Sequence, residues 1–167
     1  MHDRHFMRWL VPAVLGIGLL FAEASALAKE TKLKSEVIAT EQINPSRSGT
    51  PQPVRIHIFY LAEDDKFMQA NFAALTDPES TALGDELVRR VTHLIGPGER
   101  LELDESFDEA ARYIGVVAEF TRLDSAAWRA VVAVPARRWT DVLRLFRSNK
   151  LEILVDGTAV SSAIVED

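Results

Sequence analysis

The sequence predicts an all-β fold, a two-sheet sandwich with short helices inserted between strands. Three observations carry that expectation. Short apolar or alternating runs recur along the chain, most clearly at 54–61 (VRIHIFYL), 113–120 (YIGVVAEF) and 128–134 (WRAVVAV). Turn chemistry separates them, with Gly96-Pro97-Gly98 and Asp156-Gly157 the strongest cases. Helical spacing is confined to a few short stretches that do not alternate with the strands, which disfavours a βαβ sheet.

The first 28 residues stand outside this pattern. Arg4 and Arg8 precede an apolar run from Leu10 to Ala22, and small residues follow up to Ala28. That is the layout of a secretory signal peptide, with Ala26-Leu27-Ala28 as the cleavage site; an uncleaved N-terminal anchor is the alternative. The apolar run falls short of the roughly 20 residues that a permanent spanning helix needs. Residues 29–167 are then expected to form one domain, large enough to bury a single core.

Within that domain, 32–39 alternates with Leu33, Ser35, Val37 and Ala39 on one side, a first strand. Gln42–Pro53 (QINPSRSGTPQP) is dense in Asn, Pro, Ser and Gly and reads as a proline-stiffened loop. In the strand 54–61, Val54, Ile56, Ile58 and Tyr60 share one face. The other carries Arg55, His57, Phe59 and Leu61, turning apolar at its end. Asp64 and Asp65 can cap a helix running to about Leu75, with Phe67, Met68, Phe72 and Leu75 inward. Asp77-Pro78-Glu79 opens a turn that ends near Gly84. Residues 86–94 form a strand whose charges on both faces suit a sheet edge. Leu101 and Leu103 mark a half-buried strand after the Gly96-Pro97-Gly98 turn, and 108–112 is a short helical piece. The runs 113–120 and 128–134 are continuous enough to be strands covered on both faces. Residues 140–146 have the spacing of one or two helical turns. Leu151–Val155 and Thr158–Val165 pair as a hairpin around Asp156-Gly157.

Composition narrows the function. The chain has 19 Lys and Arg against 25 Asp and Glu, a net charge of −6 that argues against binding nucleic acid. It contains no cysteine, which excludes a disulfide framework, thiol catalysis, thiolate-bound metal and acylation on cysteine. Only His57 and His93 lie beyond the leader, and neither has a second histidine at ligand spacing, so no metal site is expected. The paired carboxylates Asp64/Asp65, Glu99/Glu102, Asp104/Glu105 and Asp108/Glu109 adjoin turns and strand ends, where capping and solvation account for them. Ser161 and Ser162 lack a nucleophile elbow, and the glycines lack phosphate-binding spacing. No cofactor or catalytic set emerges. The stiffened loop Gln42–Pro53 is the remaining candidate: ordering it on a partner would lose little entropy, although an ordinary connector fits its composition as well.

Asn44-Pro45, Gly49, Pro51 and Pro53 run directly into Val54-Arg55-Ile56-His57-Ile58-Phe59-Tyr60-Leu61. The set resembles the signature of the TssJ (VasD/SciN) family of type VI secretion lipoproteins. The resemblance continues in order through Phe67, Ala70, Phe72 and Leu75, Leu83–Leu87, Gly96–Glu99, Tyr113–Ala118 and Trp128-Arg129. It implies a transthyretin-like sandwich without catalysis, placed in the periplasm at the cell envelope. It also implies a partner, the periplasmic C-terminal part of TssM, within the TssJ-TssL-TssM complex. The partner-binding loop lies between the first two strands in the family, here Asn44, Pro45, Ser46, Arg47, Ser48, Gly49 and Pro51. The chain departs from the family at the end of the leader, where Lys29 stands in place of a lipidated cysteine, so lipid anchoring is in doubt. A periplasmic ligand- or peptide-binding sandwich unrelated to secretion is the alternative, and a hydrolase built from scattered acids is a third reading.

Overall fold

A computed structural model describes residues 31–32, 34–103, 106–107, 110–135 and 149–166. Its strands are β1 (Thr31–Lys32), β2 (Lys34–Ala39), β3 (Val54–Leu61), β4 (Leu87–Ile95), β5 (Arg100–Leu103), β6 (Ser106–Phe107), β7 (Tyr113–Ala118), β8 (Arg129–Ala133), β9 (Asn149–Asp156) and β10 (Ala159–Glu166). Two four-stranded sheets, ordered β10-β9-β2-β5 and β4-β3-β7-β8, face one another, and β1 pairs with β6 beside them. The all-β sandwich expected from the sequence is what forms. The neighbours are antiparallel except β2 and β9, which run parallel.

The alternation of β3 explains the layering. Val54, Ile56, Ile58 and Tyr60 enter the core between the sheets, with Val37, Ile95, Ile114, Val116, Leu151, Ile153 and Val155. The opposite face of β3 carries Phe59 and Leu61 into a second, smaller core with Phe67, Leu75, Leu83 and Val117. Two helices cover it, α1 (Asp65–Gln69) and α2 (Phe72–Thr76), where the sequence suggested one. The chain leaves α1 in extended conformation at Ala70, and Asn71, also extended, caps α2 by accepting the Ala74 N–H at 2.9 Å. Within α1 Phe67 takes the inward position and Met68 faces outward, 45% exposed, against the inward position that the spacing assigned it.

Arginines on the sheet hold the helices. Arg129 donates to the carbonyls of Phe67 and Ala70 at 2.9 and 3.0 Å, and Arg90 to those of Thr76 and Asp77, both at 3.1 Å. Each guanidinium satisfies carbonyls that a short helix leaves unpaired at its C-terminus. Phe67 lies directly on Gly115 of β7, where a Cβ would stand 2.6 Å from its Cζ. Glycine in this central strand is therefore a packing requirement.

Three further expectations change. Residues 128–134 give a half-buried edge strand, because β8 is the last strand of its sheet. Its edge meets the other sheet instead: Ala127 accepts from Val160 N–H at 2.9 Å and donates to Thr158 O at 3.0 Å. The hairpin turn is Gly157-Thr158 rather than Asp156-Gly157, since Asp156 pairs with Ala159; Gly157 takes the positive φ of 55°. Residues 110–112, the end of the short helical piece read at 108–112, are turn and irregular backbone rather than helix; residues 108–109, the helical reading at 140–146 and the leader 1–28 lie outside the described residues.

Candidate functional site

The loop Gln42–Pro53 leaves β2 and enters β3, and its base is fixed by two buried residues. Ile43 is fully buried in the main core. Asn44 is 4% exposed and sits at φ 45°, a left-handed conformation that asparagine tolerates better than other side chains carrying a Cβ. Its N–H donates to Gly157 O at 2.7 Å. Its Nδ2 donates to Pro53 O at 2.8 Å, and its Oδ1 accepts from Thr121 N–H at 2.7 Å. One side chain thus joins both ends of the loop to the connection that follows β7. Gln52 closes the neck by donating its N–H to Ile43 O at 3.2 Å.

Beyond the neck the chain makes a tight turn. Gly49 N–H donates to Ser46 O at 3.0 Å, and Ser46 N–H to Thr50 O at 2.8 Å. Thr50 N–H donates to Ser46 Oγ at 3.1 Å, and the Ser46 and Ser48 hydroxyls share a hydrogen bond of 2.8 Å. Gly49 holds φ 83°, which favours glycine. The tip is rigid through its own backbone bonds, and Arg47 and Ser48 stand at its apex.

The residues singled out from sequence therefore divide by position. Arg47, Ser48 and Gly49 are exposed at the apex, Pro45, Ser46 and Pro51 are half-buried on the stem, and Asn44 is buried at the base. Arg47 makes no side-chain hydrogen bond or ion pair among the described residues. Sequence reasoning did not find Thr121, whose amide Asn44 receives; nothing in its polar surroundings marks it. Gly157 was visible only as a turn residue.

A second polar cluster lies on the outer face of the β4-β3-β7-β8 sheet, beyond the area the helices cover. It forms a shallow open cleft lined by Arg55, His57, Thr76, Arg90, Thr92 and Glu119. His57, expected to be a half-exposed strand residue, is 4% exposed. Arg90 Nη2 lies 2.9 Å from His57 Nδ1, and arginine can only donate, so Nδ1 carries the lone pair. Nε2–H then donates to Glu119 Oε1 at 2.6 Å, while Arg55 reaches Glu119 Oε2 at 3.3 Å. Burial pushes the imidazole pKa down, with the Glu119 hydrogen bond opposing it and the Arg90 charge adding to it.

Thr92 Oγ1, 2.9 Å from Nδ1, completes a hydroxyl–imidazole–carboxylate line that superficially suits nucleophilic catalysis. Its chemistry is unfavourable: a base needs its lone pair directed at the hydroxyl, and here a guanidinium takes a share of it. The cluster's evident work is structural, since Arg90 ties β4 to the end of α2. His93 cannot join His57 in binding a metal, because it lies opposite Ile56 on the inner face while His57 lies opposite Thr92 on the outer one. Among the described residues no group of three or more metal-ligating side chains occurs.

On the other sheet, Glu36 of β2 receives hydrogen bonds from Lys150 and from Arg100 Nη1, the latter at 2.6 Å. Its carboxylate is 5% exposed under the two cations, whose hydrogen bonds hold it below its ordinary pKa. This is a cross-strand clasp among β5, β2 and β9.

The fold has close parallels among known proteins. The family described as type VI secretion lipoprotein, VasD, EvfM, TssJ, VC_A0113 matches residues 31–158. The T6SS lipoprotein TssJ1 from Pseudomonas aeruginosa is 32% identical, with a TM-score of 0.70 over 83% of this chain and 97% of that one. Lip from Serratia marcescens, a membrane-bound component of the type VI secretion system, is 25% identical, with a TM-score of 0.67 over 80% of this chain and 96% of that one. A chain of a type VI membrane complex, 23% identical, shares the fold at a TM-score of 0.65, over 82% of this chain and 99% of that one. None of the curated proteins matches significantly. The chain belongs to the TssJ (VasD/SciN) family of type VI secretion lipoproteins, structural components of that system at the cell envelope.

Proposed function

We propose that this chain is a non-catalytic part of the type VI secretion membrane complex that docks the periplasmic C-terminal part of TssM through the tip of the Gln42–Pro53 loop. The observation that carries the proposal is the construction of that loop. A buried asparagine with three hydrogen bonds holds it off the sandwich, while Arg47, Ser48 and Gly49 face solvent. A contact surface already ordered before binding loses less conformational entropy on complex formation. The choice of partner is supported by two fold relatives, the chain of a type VI membrane complex and a chain in a structure of the TssM C-terminal domain from EAEC.

Replacing residues 46–49 with four glycines removes the turn's hydroxyl bonds and Arg47 but leaves the neck intact. Biolayer interferometry against the periplasmic part of TssM should show binding weakened by about tenfold or more, with the melting temperature nearly unchanged. Unaltered binding would remove the loop from the interface.

The proposal places the mature chain, residues 29–167, in the periplasm after cleavage behind Ala28. The 167 residues contain no cysteine to acylate, so the roughly 0.8 kcal/mol per buried CH₂ that a lipid supplies is lacking. Retention then depends on partners or on an uncleaved leader. Mass spectrometry of the purified protein separates the two: an N-terminal Lys29 indicates release, an intact Met1 a tether. Stable residence in the outer membrane without TssM would contradict both.

A further inference from the structure

The arginines with described side chains fall into two classes. Most are engaged: Arg55 with Glu119, Arg89 over the Tyr60 ring at 4.2 Å, Arg90 with His57, Arg100 with Glu36, Arg112 with Glu63 and Arg129 with the end of α1. Arg47 and Arg122 are exposed, and neither guanidinium has a hydrogen bond or ion pair among the described residues. The two are far apart in sequence yet belong to one end of the sandwich. Arg122 follows Thr121, whose N–H is bonded to Asn44 Oδ1 at 2.7 Å and whose hydroxyl donates to Gln52 Oε1 at 3.4 Å. The loop that carries Arg47 is therefore stitched to the connection that carries Arg122. In a chain of net charge −6, the two uncommitted guanidinium groups among the described residues share this end.

We infer that Arg47 and Arg122 form a two-point basic contact for an acidic protein surface, each seating on carboxylates of the partner. This rests on the loop being the docking element and specifies the chemistry of what it meets. Planar guanidinium groups suit bidentate pairing with carboxylates, and free ones give up no internal ion pair when they bind. A lipid surface fits less well, since recognition of anionic membranes takes a cluster of roughly four to eight basic residues. Asp124, exposed two residues beyond Arg122, reduces the local positive charge and further disfavours a purely electrostatic membrane contact.

The test uses the mature chain and the periplasmic part of TssM, with association rates read by surface plasmon resonance at low and at physiological salt. Arg47→Glu and Arg122→Glu should each slow association about tenfold at low salt, and the double variant should lose most of the salt dependence. Arg112→Glu, at the other end of β7, should bind as the wild type does, and thermal melts should show all variants folded. If both loop-end reversals bind normally while the four-glycine tip does not, the inference fails and the loop reading stands. If the four-glycine tip also binds normally, both fail. If the reversals abolish pelleting with phosphatidylglycerol vesicles but leave TssM binding intact, the contact is with lipid and the inference is overturned.

Discussion

Asn44 gives the sharpest test of how the loop is built, because its side chain and its backbone contribute separately. Asn44→Gly keeps the φ of 45° accessible but removes the bonds to Pro53 O and Thr121 N–H, at 2.8 and 2.7 Å. At about 0.5–1.5 kcal/mol for each hydrogen bond, the expected loss is roughly 1–3 kcal/mol. Asn44→Ala loses the same bonds and must also hold the left-handed conformation with a Cβ, adding about 1 kcal/mol. Asn44→Asp retains the acceptor for Thr121 but turns a second oxygen toward Pro53 O. Its cost should approach that of Asn44→Gly, as one bond becomes a repulsion. Urea denaturation of the mature chain gives the three free energies, with m-values unchanged if only the native state is affected. The expected order is wild type above Gly and Asp, with Ala lowest. An alanine variant as stable as the glycine variant would mean the backbone is not held in the left-handed region. Three variants as stable as wild type would mean the asparagine is no pillar at all.

Other consequences can be checked together. Gly115→Ala drives a Cβ into Phe67 and should cost about 1–3 kcal/mol, whereas in a Phe67→Ala background, itself down by about 3–5 kcal/mol, the added methyl should be nearly neutral. Additive effects in the denaturation midpoints would refute the contact. Glu36 has a folded-state pKa below its ordinary 4.5, so its clasp contributes stability above that pH and loses it as pH falls through the folded value. The stability gap between wild type and Glu36→Gln should shrink on acidification below 4.5; a gap independent of pH would contradict the clasp. His57 titrates with the opposite consequence for its charge. Its folded pKa lies below 6.5, so the unfolded chain binds the proton first and stability falls as pH drops below 6.5. His57→Gln should flatten that part of the pH profile, and an unchanged slope would argue against a neutral buried imidazole.

The readability of the fold varied with how local its causes are. The bounds of β3 follow from its alternation alone, and the apolar turn of its second face at Phe59 and Leu61 correctly signalled a cover. The cover reads as one helix because the 3.6-residue spacing continues through Asn71, while the chain turns extended at Ala70 and Asn71 caps a second helix. Apolar continuity made 128–134 look central. Its burial comes instead from β10 across the sandwich, a contact no local pattern encodes. His57 looked half-exposed because its partners are remote in sequence, Arg90 and Thr92 on β4 and Glu119 just beyond β7. For the loop, prolines marked stiffness and the family resemblance marked the place. The division into buried base and exposed apex depends on Thr121 and Gly157, which only the folded chain brings near Asn44.

Hydrogen exchange on the mature chain, with and without the periplasmic part of TssM, puts the docking claim to its most direct trial. In the free protein the amides of Ser46, Gly49, Thr50 and Gln52 are bonded, while those of Arg47 and Ser48 have no acceptor among the described residues. The Arg47 and Ser48 amides should therefore exchange quickly alone and slow markedly in the complex, with slower exchange also around Arg122. Unchanged exchange at this apex, with new protection confined to α1 and α2 or to the β5 edge, would place the partner elsewhere on the sandwich.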